Sequence, residues 1–171
     1  MFDRLVDILV QFIDLFKFWI ILEPYEAGVQ TRLGIFVRVL DPGLHWLYPF
    51  RIDHVMFESV VPTTHSLGNE SITTKDGKSL GFHSVVTYRV RDMQKAMLEV
   101  ADTDHALKDS CAGEIGRILR EHTMDEIMSG VATDNVTAAC RKRGWRFGIE
   151  VMSVQFAGLC VVKNIRLMQN G

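Results

Sequence analysis

The chain carries six histidines, His45, His54, His65, His83, His105 and His122, and three cysteines, Cys111, Cys140 and Cys160. Imidazoles and thiols hold metals, move protons and act as nucleophiles near neutral pH. Their spacing here supports none of these roles. No two histidines fall at a metal-ligand interval such as H-E-x-x-H, and the cysteines are odd in number, far apart and without a C-x-x-C. Neither a metal site nor a disulfide framework is expected, and no cofactor is implied. Three free thiols accord with a reducing compartment. His83 and Ser84 are neighbours on a strand pattern and so project to opposite faces, which rules them out as a base and nucleophile acting together. Lys75, Asp76, Gly77 and Lys78 lack the surrounding spacing of a phosphate-binding loop, and turn chemistry accounts for Asp-Gly. Glu121, His122, Asp125 and Glu126 gather near a helix start, where capping and the helix dipole explain acids. Cys111 and Cys140 read as small packed hydrophobes. The chain is read as a non-enzyme with no catalytic residues.

The elements that would position any site come next. At 171 residues, the chain is one domain or one domain plus an appendage. Hydrophobic residues make up 47%, charged residues 23%, and the formal net charge is -2, a balance typical of ordered globular chains. No basic run would track a phosphate backbone, so nucleic acid is not an expected partner.

The first segment departs from the globular pattern. In residues 2–22, FDRLVDILVQFIDLFKFWIIL, fifteen of twenty-one residues are apolar. The polar six are Asp3, Arg4, Asp7, Gln11, Asp14 and Lys17. At about 100° per residue they fall within an arc of roughly 140°. This spacing predicts a helix with one wet stripe and a wide apolar face, ending near Glu23-Pro24. A signal peptide is excluded by the early acid and by the lack of a small-residue cleavage site. Three readings stay open: an interfacial or re-entrant membrane helix, a tilted span within an oligomer, and a helix packed on protein. A span would place Asp14 and Lys17 in the bilayer at a cost of roughly 2.5–3.5 kcal/mol each near its centre, whereas an interfacial helix keeps them wet. The expected membrane-contacting residues are Phe2, Leu5, Val6, Leu9, Phe12, Ile13, Phe16, Trp19 and Ile20.

The body reads as strands, then helices, then a strand, which is an α+β pattern. Residues 27–40 are strand-like with a bend at Leu33-Gly34, and residues 54–62 alternate weakly. Residues 72–90, with Asp76-Gly77 as the turn, form the clearest hairpin. Its second strand puts Leu80, Phe82, Ser84, Val86, Tyr88 and Val90 on one face. Asp92 can cap a short helix over 93–100. Residues 104–121 place Ala106, Leu107, Cys111, Ile115, Ile118 and Leu119 at helical spacing. Thr123 with Glu126 is a capping box. A helix over about 134–143 ends at Gly144, and 148–156 returns to strand.

Four blocks in order carry a resemblance. They are RLGIFVRVLDPGLHWLYPFRIDHV, TTKDGKSLGFHSVVTYRVRD, GRILREHTMDEIMS and GIEVMSVQF, spanning about residues 24–156. Together they resemble the SPFH or band-7 superfamily of stomatins, prohibitins and flotillins. The resemblance implies an α+β SPFH domain, an antiparallel sheet with packed helices, over 24–158. It follows a membrane-associated helix over 1–23 and precedes a short segment over 159–171. It also implies a membrane-associated homo-oligomeric scaffold, a large ring or cage organising a membrane microdomain, with its domain on the cytoplasmic side. The alternative it implies is a regulatory partner of a membrane protease or channel. Family members continue into a long coiled coil, and this sequence stops after LCVVKNIRLMQNG. Any ring is then expected to be held by the domain and amino-terminal helix or by another subunit. Within DPGLHWLYPFRI, residues 41–52, the aromatics read as core on their own. The resemblance places this loop nearest the bilayer, where Trp46, Leu47, Tyr48 and Phe50 would meet lipid headgroups.

Overall fold

A computed structural model describes residues 18–162. The chain divides into two units, Met1–Val61 and Pro62–Gly171.

The first unit is built of short antiparallel strands. Strand β1 (Trp19–Leu22) pairs with β4 (Gly43–Trp46) in a two-stranded ribbon. Strand β2 (Glu26–Arg32) is the centre of a second sheet, between β3 (Ile35–Leu40) and β5 (Asp53–Ser59). Leu33 and Gly34 turn β2 into β3, both with positive φ, as a tight hairpin demands. Among the described residues the apolar core is small, Leu22, Val29 and Leu40, and is supplemented by buried Gln30, Thr31 and Asp53. At Gly28 an added Cβ would meet the Met56 carbonyl oxygen at 3.1 Å and Leu22 at 3.3 Å, so the strands close up over a missing side chain.

The helix expected over 2–22 requires a correction at its end. Residues 1–17 lie outside the described residues, but Trp19, Ile20, Ile21 and Leu22 are strand, in register with Trp46, His45, Leu44 and Gly43. A short, wholly apolar run has no period of its own. Helical phase carried from upstream therefore decided nothing, and cross-strand pairing did.

The second unit is a three-stranded antiparallel sheet with helices on one face. Its strands are β6 (Thr63–Thr73), β7 (Ser79–Val90) and β8 (Ile149–Val162), with β7 in the centre. The predicted hairpin is present, but β6 begins nine residues earlier than the sequence pattern implied, because polar Thr, Ser and Asn residues occupy its start. Leu80, Phe82, Ser84, Val86 and Tyr88 are all buried, as the alternation along β7 requires. Four helices follow: α1 (Met93–Leu98), α2 (Thr103–Glu121), α3 (Met124–Met128) and α4 (Val131–Gly144). Leu107, Cys111, Ile115, Ile118 and Leu119 of α2 and Val136 and Cys140 of α4 join the β7 and β8 side chains in one core. Buried large aliphatics of this kind contribute about 1.5–3 kcal/mol each.

Caps fix the helix starts. Asp92 accepts from the Lys95 N–H, Asp102 from the His105 N–H, and Thr123 and Glu126 exchange bonds as a capping box. Asp76, in the β6–β7 turn, accepts from the Met124 N–H at 3.3 Å and thereby joins the hairpin tip to the start of α3. Bonds from Thr74 and Lys78 hold its carboxyl down at about 2.

Gly148 joins the helices to β8. Its φ is +73°, and its carbonyl accepts from the Arg91 and Asp92 N–H groups, each at 2.9 Å. A Cβ there would lie 2.4 Å from the Asp92 carbonyl oxygen. Gly148→Ala is expected to lose at least about 1–2 kcal/mol, the cost of left-handed backbone alone. Urea unfolding checks this, and a midpoint equal to wild type would contradict it.

Candidate membrane-facing surface

The β1–β4 ribbon has two unlike faces. Register places Trp19 opposite Trp46 and Ile21 opposite Leu44, and directly opposed residues share a face. These four are exposed by 44%, 64%, 64% and 55% respectively. Leu22 is buried on the other face, and Ile20 and His45 are half-buried there. Phe18, just before β1, stacks on Trp46 with ring centroids 5.9 Å apart and meets Trp19 edge-on at 4.7 Å. The Leu47 N–H donates to the Phe18 carbonyl at 2.8 Å, which extends the ribbon by one bond. Five large apolar side chains, three of them aromatic, thus form a solvent-facing patch.

The loop that follows is held from beneath by a buried carboxylate. The Asp53 side chain is fully buried. Its Oδ1 accepts from Arg32 Nε at 2.7 Å, and its Oδ2 accepts from Gln30 Nε2 at 2.7 Å, from Arg32 Nη2 at 3.2 Å and from the Tyr48 N–H at 2.9 Å. Gln30 Oε1 accepts in turn from Arg38 Nε at 2.8 Å. The Arg32 guanidinium also lies 4.2 Å from the centre of the Tyr48 ring, within cation–π range. Bonds from Arg32, the Tyr48 N–H and Gln30 hold the Asp53 carboxyl below the ordinary aspartate value against the opposing effect of burial. Phe50 and Arg51 both have positive φ, 61° and 58°. Left-handed backbone at a bulky residue costs about 1–2 kcal/mol and persists only where surrounding structure imposes it. Tyr48 and Phe50 in this loop are both more than half exposed.

The residues singled out from sequence sort as follows. Phe2, Leu5, Val6, Leu9, Phe12, Ile13 and Phe16 lie outside the described residues. Trp19 and Trp46 come together on the ribbon, with Tyr48 and Phe50 exposed on the adjoining loop. Ile20 does not share the Trp19 face, because strand alternation turns it the other way, and Leu47 is half-buried. Phe18, Ile21 and Leu44 were missed. Their signal was the alternation of 19 with 21 and of 44 with 46, hidden by carrying the helical period through residue 22.

Four of the six histidines, and the buried cysteines, have structural partners. His45 meets the Asp41 carbonyl oxygen at 2.6 Å, His83 meets Asn69 at 2.9 Å, and His105 meets Asp102 at 2.8 Å. His122 meets the Ile118 carbonyl at 2.8 Å. Cys140 Sγ lies 3.9 Å from the Cys111 carbonyl in the core, and contact with Cys111 together with burial pushes its thiol up. Among the described residues no cluster of His, Cys, Asp and Glu could hold a metal ion, and no helix is long and apolar enough to cross a membrane.

An antiparallel domain with helices on one sheet face, preceded by an aromatic strand ribbon, defines the class of protein. The SPFH domain / Band 7 family model matches residues 20–158, and the chain belongs to that family. An uncharacterized protein of Methanocaldococcus jannaschii is 31% identical over 131 residues, covering 68% of this chain and 65% of that protein. The modulator of FtsH protease HflK of Escherichia coli is 28% identical over 136 residues, covering 77% of this chain and 32% of that protein. Protein HflK of Vibrio cholerae is 30% identical over 104 residues, 61% of this chain and 26% of that protein. The chain thus spans from about a quarter to about two thirds of the length of these relatives.

Asp53 ties the loop to its sheet, and its effect on stability has a definite sign. Its folded carboxyl is depressed, so its contribution is present above the unfolded value, about 3.9, and is lost as pH falls through the folded value. Asp53→Asn is expected to cost about 2 kcal/mol at neutral pH, since it removes charge-assisted bonds. It should also reduce the loss of stability on acidification below about pH 4. Denaturant unfolding at several pH values checks both, and an unchanged acid dependence would contradict the assignment.

Proposed function

We propose that the protein is a membrane-associated scaffold subunit that assembles with copies of itself into a ring or cage and organises a membrane microdomain. The exposed aromatic face of the β1–β4 ribbon is the observation that carries this reading. Water-facing Trp19, Ile21, Leu44 and Trp46 cost solvation, which a lipid interface returns, and Trp and Tyr favour the headgroup region. Residues 2–17, mostly apolar in sequence, are proposed to add further burial. Few basic residues accompany these side chains, so attachment rests on apolar burial rather than attraction to anionic lipid. In this reading the domain faces the cytoplasm.

In this reading the function is structural rather than catalytic: His83, His105 and His122 are engaged in strand contacts and helix capping, and Cys111 and Cys140 are packed in the core. A second reading, a regulatory partner of a membrane protease or channel, is favoured by similarity to a protein named as a modulator of FtsH protease.

Replacing Leu44 and Trp46 together by Ser removes two exposed side chains worth about 1.5–3 kcal/mol each when fully buried, so liposome partitioning should fall by about tenfold or more. Retained circular dichroism would show the fold intact. In mild detergent, native mass spectrometry should give a large homo-oligomer. A monomer there would contradict the scaffold.

A further inference from the structure

A second surface lies wholly within the second unit and is independent of the membrane reading. A groove runs between α2 and α4. One cavity of about 350 Å³ is lined by Asp109, Ser110, Gly113, Glu114, Arg117 and Arg143. It continues into another of about 210 Å³ that shares Glu114, Arg117 and Arg143 and adds Ala139, Lys142 and Arg146. Both walls are single faces at helical spacing. Ser110, Gly113, Glu114 and Arg117 stand at i, i+3, i+4 and i+7 on α2. Ala139, Lys142, Arg143 and Arg146 repeat that spacing from α4 into the turn that follows it. Small residues, Ser110, Gly113 and Ala139, leave the groove open, and an added Cβ at Gly113 would have no atom within 4 Å.

The charges at one end are built rather than scattered. Glu114, nearly buried, accepts from Arg117 Nη2 at 2.8 Å and from Arg143 Nε at 2.7 Å, which joins the two helices. Both arginines depress its carboxyl, so it stays ionised and holds them in place. Glu121 takes a further bond from Arg117 at 3.1 Å. Lys142 and Arg146, both exposed, have no ion pair among the described residues. Their charge is therefore available to a ligand.

We propose that this groove docks an acidic polypeptide segment of a partner protein. From Ser110 to Arg117 it extends about 10 Å at about 1.5 Å per residue. That length, with a floor of small residues, suits extended or helical chain rather than a single anion. Carboxylates of the segment meet Lys142, Arg146 and the free edge of Arg143, while its backbone passes over Gly113. Asp109 stands at the far end and fixes direction, with the acidic part of the segment away from it.

The test uses the full chain in mild detergent and a fluorescein-labelled hexaglutamate peptide, read by anisotropy at low and high ionic strength. Binding that weakens with salt is expected, together with about tenfold weaker binding by Lys142→Glu/Arg146→Glu. Gly113→Leu should weaken it equally with no change in charge, because the leucine fills the open floor. Absence of peptide binding overturns the proposal. So does wild-type binding by Gly113→Leu, which would mean diffuse attraction only. Phosphatidylserine vesicles that bind through the same residues, while the peptide does not, would make the groove a lipid site and also overturn it. None of these outcomes depends on Trp46 or the β1–β4 ribbon.

Discussion

One buried carboxylate governs the first unit. Asp53 gathers two side chains from β2 and a backbone N–H from the aromatic loop around a single desolvated charge. A buried charge is tolerable only when paired and fully hydrogen-bonded, and here every bond required to satisfy it also fixes geometry. The Tyr48 bond draws the loop onto the sheet. Left-handed Phe50 and Arg51 then follow, with the aromatic side chains directed outward. Among the described residues its apolar core is Leu22, Val29 and Leu40, so the unit depends on this polar centre more than its size would suggest.

The register explains how the strand unit exposes so much apolar surface. Trp19, Ile21, Leu44 and Trp46 share a face because antiparallel register aligns them, and their neighbours Ile20 and Leu22 are directed to the other face. The ribbon is thus amphipathic at the two-residue period, as an interfacial helix is at 3.6. The second unit bears a different kind of surface, a charged groove set by an arginine–glutamate–arginine clamp between two helices. One surface is proposed for lipid, the other for an acidic chain.

Much of the second unit was legible in the sequence because its signals are local. Alternation along β7, Asp-Gly at the turn, and caps at Asp92 and Thr123 each specify structure within a few residues, and each is found. The first unit was less legible. Its decisive bonds join Arg32 to Asp53 and Trp19 to Trp46 across twenty or more residues, and no local period encodes such partners. The aromatic loop was identified as important from its residue types, while Phe18, Ile21 and Leu44 emerged only with the register. The groove between α2 and α4 was invisible for the same reason. Arg143 and Glu114 are 29 residues apart, with the end of α2, all of α3 and most of α4 between them, and the basic residues at 141–143 and 146 do not by themselves reveal what they face.

The proposed function requires the aromatic face of the first unit to enter a lipid interface. Fluorescence quenching of Trp46 by lipids carrying depth-graded quenchers tests it directly, with Trp19 and Trp145 replaced by Phe so that one indole reports. Quenching strongest for probes at the headgroup level is the predicted result. A Trp46 signal that no lipid-borne quencher reduces, in protein shown to be bound to the vesicles, would contradict it.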